Sequence, residues 1–377
     1  MSKLQNARFD FKEDALFSGT QINRDRPVAF KLEGRSYIGF DGDTILSALL
    51  ASGVDTAGEI NGEEIALDAE LSLPVVVASS DERKPAILPM QRTPIVPGME
   101  LLLFTPQSRL RKMTRSALER VRRAASGRSA RSLDIDLAVS DILSGPWADL
   151  PVERELNTDL VVVGGGVSGL SAALAAAESG WAVTIVEQRC ILGGDARFFG
   201  SQEGEQRPEE LVRSLKEALL AYDNVRVFTN SKALSLTANC TRIHRVGRRD
   251  DEVYGEILRV SGRKTILATG TLERLPVFPG NRLPGVAKAR ASFQLAALYG
   301  LWRGKSAAFC TSSSAATQVA LLAADMGIKV SKLADSRIRP KSRFFEFAKA
   351  YGISLATGTQ AVLARVAGNG KLDVRFG

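Results

Sequence analysis

The chain holds three cysteines and one histidine in 377 residues. Cys190, Cys240 and Cys310 stand far apart, with no CxxC or CxxxxC pair. That excludes a redox dithiol motif and a zinc knuckle, and it suits a reducing compartment. With His244 as the sole histidine, a His-based triad or a multi-histidine metal site has nothing to draw on, and no metal site is expected. Long apolar runs are missing too: none reaches the roughly 18 residues that cross a bilayer, so no membrane span is expected. The N-terminal MSKLQNARFDFKED carries acids and no apolar signal segment, so a cytoplasmic location is expected.

What is there is an ordinary globular balance, 45% hydrophobic, with enough Ala, Val, Leu and Ile to bury real cores. The net charge of +8 is unevenly spread: residues 109–131 hold nine Arg or Lys and one Glu. This stretch reads as a solvated helix face or the seat of an acidic partner rather than a nucleic-acid patch, and no nucleic-acid partner is expected.

The length suggests two or three domains. Residues 1–21 read as a polar arm. Residues 22–105 read as a small α+β domain of the ubiquitin or ferredoxin type. VAFKLEG and RSYIGFDG form two short strands around a glycine-containing turn. DTILSALLASG forms a helix capped by Asp43 or Thr44 and ended by Gly53, and an irregular stretch follows. Residues 106–156 read as a basic helix and then a linker with Gly145, Pro146 and Pro151. From 157 to 300 strands and helices alternate, which predicts an α/β domain built on a parallel sheet. Residues 301–377 read as a second, degenerate and incomplete unit of the same kind.

DLVVVGGGVSGLSAALAAAESG places G-x-G-x-x-G (Gly164, Gly166, Gly169) between a continuous apolar strand and a helix rich in small residues, with Glu187 at the end of the next strand. This context, rather than the glycines alone, reads as a dinucleotide-binding turn. Gly164 permits the tight turn, Gly166 lets main chain approach a pyrophosphate, and Gly169 lets helix and strand pack closely. The helix start offers free N–H groups to phosphates. Glu187 is placed to accept from ribose hydroxyls and would repel a 2′-phosphate, which disfavours NADP. Gly193 and Gly194 continue the site, with Arg197 available to a phosphate. Ala268, Thr269 and Gly270 close the strand TILATG beside the nucleotide. The second unit has Ser312, Ser313 and Ser314 where glycines would stand, so its turn is expected to be empty. Cys190 reads as a small apolar filler, and His244 reads as a surface residue.

The segments RPVAFKLEG, GFDGDTILSALLASGV, DLVVVGGGVSGLSAALAAA, VEQRCILGG and ILATGTLERLPVFPGNRLPGV, in that order, resemble the α subunits of the heterotetrameric sarcosine oxidase family and of the related opine, hydroxyproline and proline dehydrogenases. The resemblance covers most of residues 25–377, and the stretch from Ala268 to Val286 is its most specific part. It implies a domain like a plant-type ferredoxin followed by a glutathione-reductase-like two-dinucleotide region. It implies NAD or FAD in the first site, with contacts at Val167, Ser168, Glu187, Gln188, Arg189, Asp195 and Ala268. It also implies an FMN at a subunit interface and amine oxidation on a separate flavoprotein β subunit, within a hetero-oligomer that has further small subunits.

Three departures from the family stand out. No cysteine occurs between residues 1 and 189, and a [2Fe–2S] cluster takes four thiolates, so no iron–sulfur cluster is expected in the N-terminal domain. AGEINGEEIALDAELSLP replaces the basic and aromatic stretch that follows the family's first helix. The sequence stops at Arg375, Phe376 and Gly377, partway through the second dinucleotide region, and an uncovered apolar sheet surface is expected there.

The expected function is a dinucleotide-binding α-type subunit of a flavin-dependent amine or imino-acid oxidase or dehydrogenase, with no catalytic residue named on this chain. The alternatives are a non-catalytic structural subunit stabilised by bound nucleotide and a stand-alone FAD- or NAD-dependent reductase.

Overall fold

The structure, a computed structural model, describes residues 8–9, 19–68, 74–77, 86–104, 131–137, 146–196, 204–302, 304, 306–368 and 371–377. The basic helix expected within 106–130 and Arg197 lie outside these residues.

Alternation builds the N-terminal hairpin. In β1 (Asn23–Leu32) the apolar residues Val28, Phe30 and Leu32 are buried between exposed neighbours. Glu33 and Gly34, both at positive φ, turn the chain into antiparallel β2 (Arg35–Asp41), the two-residue geometry that matches strand twist. Helix α1 (Ile45–Ala51) is buried along its whole length, and Thr44 and Ser47 close a reciprocal capping box at its start.

The stretch read as irregular contains β3 (Thr56–Ile60), β4 (Glu63–Ala66), β5 (Pro74–Val77), β6 (Ala86–Pro89) and β7 (Glu100–Leu103). Four of these five are only four residues long, too short for alternation to announce them. β5, β6 and β7 complete a mixed sheet of order β2-β1-β7-β5-β6. Residues 132–156, read as a linker, supply β8 (Ser132–Asp136) to a small sheet β4-β3-β8, and also the start of β9 (Arg154–Val163).

The central sheet has the order β11-β10-β9-β14-β13-β12. Its parallel part is β9, β10 (Val183–Val186), β11 (Val225–Phe228) and β14 (Glu252–Leu267). A long antiparallel arm adds β12 (Ser231–Thr237) and β13 (Cys240–Arg249), so the sheet is mixed rather than parallel throughout. Side chains of β9 alternate between two cores. Leu160 and Val162 pack with Leu170, Ala173 and Ala177 of α2 (Val167–Glu178), while Val161 and Val163 pack with Val186, Phe228, Ile243, Leu258 and Val260. A strand covered on both faces is necessarily a continuous apolar run, which is why DLVVV carries no period of its own. Helix α3 (Pro208–Leu220) opens on Pro208 and precedes β11.

After helix α4 (Ala289–Tyr299), three parallel strands form a separate sheet, β15 (Ser306–Thr311), β16 (Lys329–Asp335) and β17 (Ser354–Thr357). Helices α5 (Ser314–Asp325) and α6 (Arg343–Ala350) connect them, and a hairpin of β18 (Ala361–Val366) and β19 (Leu372–Phe376) follows. One contiguous core joins Phe30 and Leu49, Val246 and Val253 at the tip of the antiparallel arm, Phe293 of α4, and Val319 and Leu333 of the last unit. No helix among the described residues is long and apolar enough to cross a membrane.

Candidate functional site

Register places the chemistry. Val163 pairs with Val186 and with Leu267, and Val186 pairs with Phe228. Four parallel strands therefore end in one row, and the residues that follow them, Gly164, Glu187 and Ala268 among them, emerge side by side. β9 lies between the strand that follows it and the strand that returns to it, the point of an open parallel sheet at which a crevice forms.

The glycines fit this crowding. Gly164 sits at φ +109, and a Cβ there would meet the Ala268 carbonyl oxygen at 2.2 Å. A Cβ on Gly169 would fall 1.9 Å from the Gly164 carbonyl oxygen, so the helix can lie against the turn only without one. Gly166 is different. The nearest atom to its Cβ position is Gly194 Cα at 3.9 Å, an ordinary van der Waals contact, so a Cβ there would be tolerated. Gly166 and Gly193 form a parallel bridge across the gap, and the Gly193 N–H donates to the Gly165 carbonyl at 2.7 Å. Helix α2 begins at Gly166 with no side-chain cap. Its first amides keep their donors, and the helix dipole adds partial positive charge there.

Glu187 is buried, 6% exposed. Its Oε2 accepts from the Gly165 N–H at 2.6 Å and its Oε1 from the Arg189 N–H at 2.8 Å. A carboxylate offers about four acceptor positions, so the side chain is held rigidly with capacity left on each oxygen. Gln188 beside it is exposed, as is Ser168 in the first turn of α2, whereas Val167 is half-buried. Asp195 binds Arg189 at 2.7 Å, accepts from Gln294 at 2.8 Å and is paired with Arg290. Burial lowers the pKa of the Arg189 and Arg290 guanidinium groups; the carboxylate of Glu187 acts against this at Arg189, while Arg189 itself adds to it at Arg290. Ala268 closes the turn from the β14 side. Thr269 and Gly270 are exposed beyond it, and a side chain at Gly270 would meet open space.

Sequence reasoning missed several partners. Gly165, the middle glycine of GGG, donates to Glu187. Arg290 and Gln294 of α4 hold Asp195. Glu273 accepts from the Ala289 and Arg290 N–H groups, both at 2.9 Å, and so caps α4 from a distant segment. These contacts join residues about 16 to 100 apart in sequence, a range at which only the triple glycine left a visible sign.

His244 corrects its expected surface position. It is 1% exposed in β13, stacked on Trp147 with ring centroids 5.0 Å apart and bonded to Arg92. Trp147 comes from the stretch read as a linker and Arg92 from the N-terminal sheet, so neighbouring charges in the sequence gave no sign of this cover. Cys190 is half-buried, and its Sγ donates to Gln21 Oε1 at 3.8 Å.

Residues 158–375 match the family model of the pyridine nucleotide-disulphide oxidoreductases. The chain belongs to that oxidoreductase family. It is 25% identical over 371 residues to sarcosine oxidase subunit alpha of Rhizobium meliloti (strain 1021), an alignment covering 84% of this chain and 35% of that protein. It is 27% identical over 322 residues to the subunit of the same name from Corynebacterium sp. (strain U-96), covering 82% and 31%. The resemblance to sarcosine oxidase α subunits is thus shown, and the chain spans about a third of the length of these relatives. In fold it is similar to the crystal structure of L-proline dehydrogenase from P. horikoshii, with a TM-score of 0.55 and 19% identity over 96% of this chain and 58% of that one.

One expectation is overturned. Residues 25–72 match the family model of the 2Fe-2S iron-sulfur cluster binding domain, so the N-terminal segment is related to cluster-binding domains and points to a cluster site. The donor set is a separate matter. Residues 25–72 contain neither cysteine nor histidine, and among the described residues no group of three or more His, Cys, Asp or Glu side chains is arranged to hold a metal. These side chains do not supply the thiolates such a cluster takes.

Proposed function

We propose that this chain is the dinucleotide-binding, α-type subunit of a multi-subunit, flavin-dependent oxidoreductase acting on a secondary amine or imino acid, with amine oxidation on a partner flavoprotein chain. The observation that carries the reading is the start of α2 at Gly166, which has no side-chain cap, with the buried carboxylate of Glu187 held beside it by the Gly165 N–H. The first amides of α2, beside the glycine pair Gly193 and Gly194, would hold the diphosphate of FAD or NAD. Val167 and Ser168 flank it, and Glu187 accepts from the adenine ribose. Gln188 and Arg189 border the adenine side, and Ala268 to Gly270 border the other. The bound ring supplies hydride chemistry, while the chain's part is to bind and orient it. The names and multi-subunit nature of the sarcosine oxidase relatives support the assignment of substrate class and partners.

The test is mass spectrometry of what heat releases from the natively purified protein together with whatever co-purifies. An adenine dinucleotide, with a flavoprotein partner in the same preparation, is expected. A preparation devoid of nucleotide would overturn the reading. A self-contained reductase requires a second working nucleotide turn, and the serine-filled turn of α5 speaks against it.

A further inference from the structure

Arg92 stands in the turn after β6, 6% exposed, and none of its hydrogen bonds among the described residues is to a carboxylate. A buried cation without an acid is costly. What it touches is therefore informative. Its Nη1 donates to the Asn230 carbonyl at 2.9 Å and to the His244 carbonyl at 3.2 Å, and its Nη2 lies 3.1 Å from His244 Nδ1. Arginine only donates, so Nδ1 accepts and the imidazole carries its proton on Nε2. Burial, with help from Arg92 and Lys232, pushes the His244 pKa down to about 3, so the ring stays neutral. The pKa of Arg92 falls to about 10, so the guanidinium stays charged.

Asn230 forms the turn between β11 and β12 at φ +50, a conformation that most side chains avoid and Asn tolerates. Its carbonyl also accepts from the Val246 N–H at 3.0 Å. Its own N–H donates to the Arg189 carbonyl at 2.9 Å, and the Ser231 N–H donates to the Glu187 carbonyl at 2.8 Å. The main chain of Glu187 to Arg189 thus rests on the turn that Arg92 holds. The Arg189 N–H in turn fixes the Glu187 carboxylate.

We propose that Arg92 is a positioning residue for the nucleotide site: through the Asn230 turn it sets the Glu187–Arg189 segment, so that tight hold on the adenine ribose depends on the N-terminal sheet being docked. This rests on Glu187 being the ribose acceptor. A second cross-link between the same two regions supplies the control. Arg248 of β13 pairs with Asp41 of β2 at 3.2 Å and does not touch Asn230.

The experiment is calorimetric titration of the full chain with FAD and with NAD, for the wild type, Arg92→Met, Arg92→Lys, Arg248→Ala, Glu187→Gln and the double variant Arg92→Met/Glu187→Gln. Arg92→Met is expected to weaken binding about tenfold or more, and Arg92→Lys, with its single-point donor, about three- to tenfold. Arg248→Ala is expected to stay within about twofold. A residue that acts through Glu187 gives non-additive losses, so the double variant should bind within about twofold of Glu187→Gln alone. Should Arg92→Met fail to fold, Arg92→Lys and its own double variant with Glu187→Gln carry the same comparison. Wild-type affinity in the Arg92 variants, or losses that multiply with Glu187→Gln, overturns the proposal alone. A wild-type chain that takes up neither dinucleotide overturns the site reading and the proposal with it.

Discussion

Two strand–helix–strand units among the described residues follow the same plan, and the first leaves its helix start without a side-chain cap. In the first, β9 leads through glycines into α2 and then into β10, which Glu187 follows. In the second, β15 leads through serines into α5 and then into β16, which ends at Asp335. Both acids are buried, Glu187 at 6% and Asp335 at 0% exposure, so burial does not tell the two apart. Their partners do. Glu187 is held by two main-chain N–H groups of its own site. Asp335 receives the Arg337 guanidinium at 3.0 and 2.7 Å, and the Arg337 N–H at 2.9 Å. The helix starts differ in the same sense. α2 has no side-chain cap, whereas the Ser313 hydroxyl accepts from the Ala316 N–H at the start of α5, and Thr311 Oγ1 exchanges hydrogen bonds with the Ser313 main chain. The fold supplies the same anion-ready geometry twice. In the second unit the protein's own side chains occupy it.

The largest test of this contrast is Gly166→Val. The Cβ has room in the protein but not beside a diphosphate, so dinucleotide affinity should fall about a hundredfold or more in a titration, with an almost unchanged melting temperature. Glu187→Ala should follow, with affinity lower by about 30-fold. It should also cost about 1–2 kcal/mol of stability in urea unfolding, because one buried and one half-buried N–H group lose their acceptor. The mirror-image change, Arg337→Ala, strips the partner from buried Asp335. It should cost about 1–2 kcal/mol after allowance for a guanidinium that is 35% exposed, and it should leave dinucleotide affinity alone. Smallest is Ser313→Ala, which should cost about 0.5–1 kcal/mol through loss of the α5 cap, again with no change in affinity. A drop in affinity from either change in the second unit would mean that both turns take part.

The first unit was legible in the sequence because its signals are local. Three glycines, a buried strand and an acid after the next strand lie within about 30 residues, and Gly164 and Gly169 answer to steric needs that a side chain would violate. The hairpin of β1 and β2 and helix α1 were legible for the same reason, through the Glu33–Gly34 turn and the Thr44 cap. What stayed hidden depends on distant pairing. The strands β3 to β7 are short and pair across loops. β12 and β13 are an antiparallel arm inside what reads as a parallel domain. His244 sits in a basic run, and only the approach of Trp147 and Arg92 buries it. The cap that Glu273 gives α4 cannot be inferred from α4 itself. Asp195 was expected from the family resemblance, but its ties to Arg290 and Gln294 appear only once α4 is placed beside the glycine pair. The filling of the second turn was half legible: serines in place of glycines were visible, while the grip of Arg337 on Asp335 comes from the way the chain turns back after β16.

Hydrogen–deuterium exchange of the full chain, with and without saturating FAD or NAD, tests the contrast most directly. Nucleotide is expected to slow exchange at residues 165–170 and 193–195 and to leave residues 312–317 unchanged. Protection confined to 312–317, or none at 165–170, would contradict the contrast.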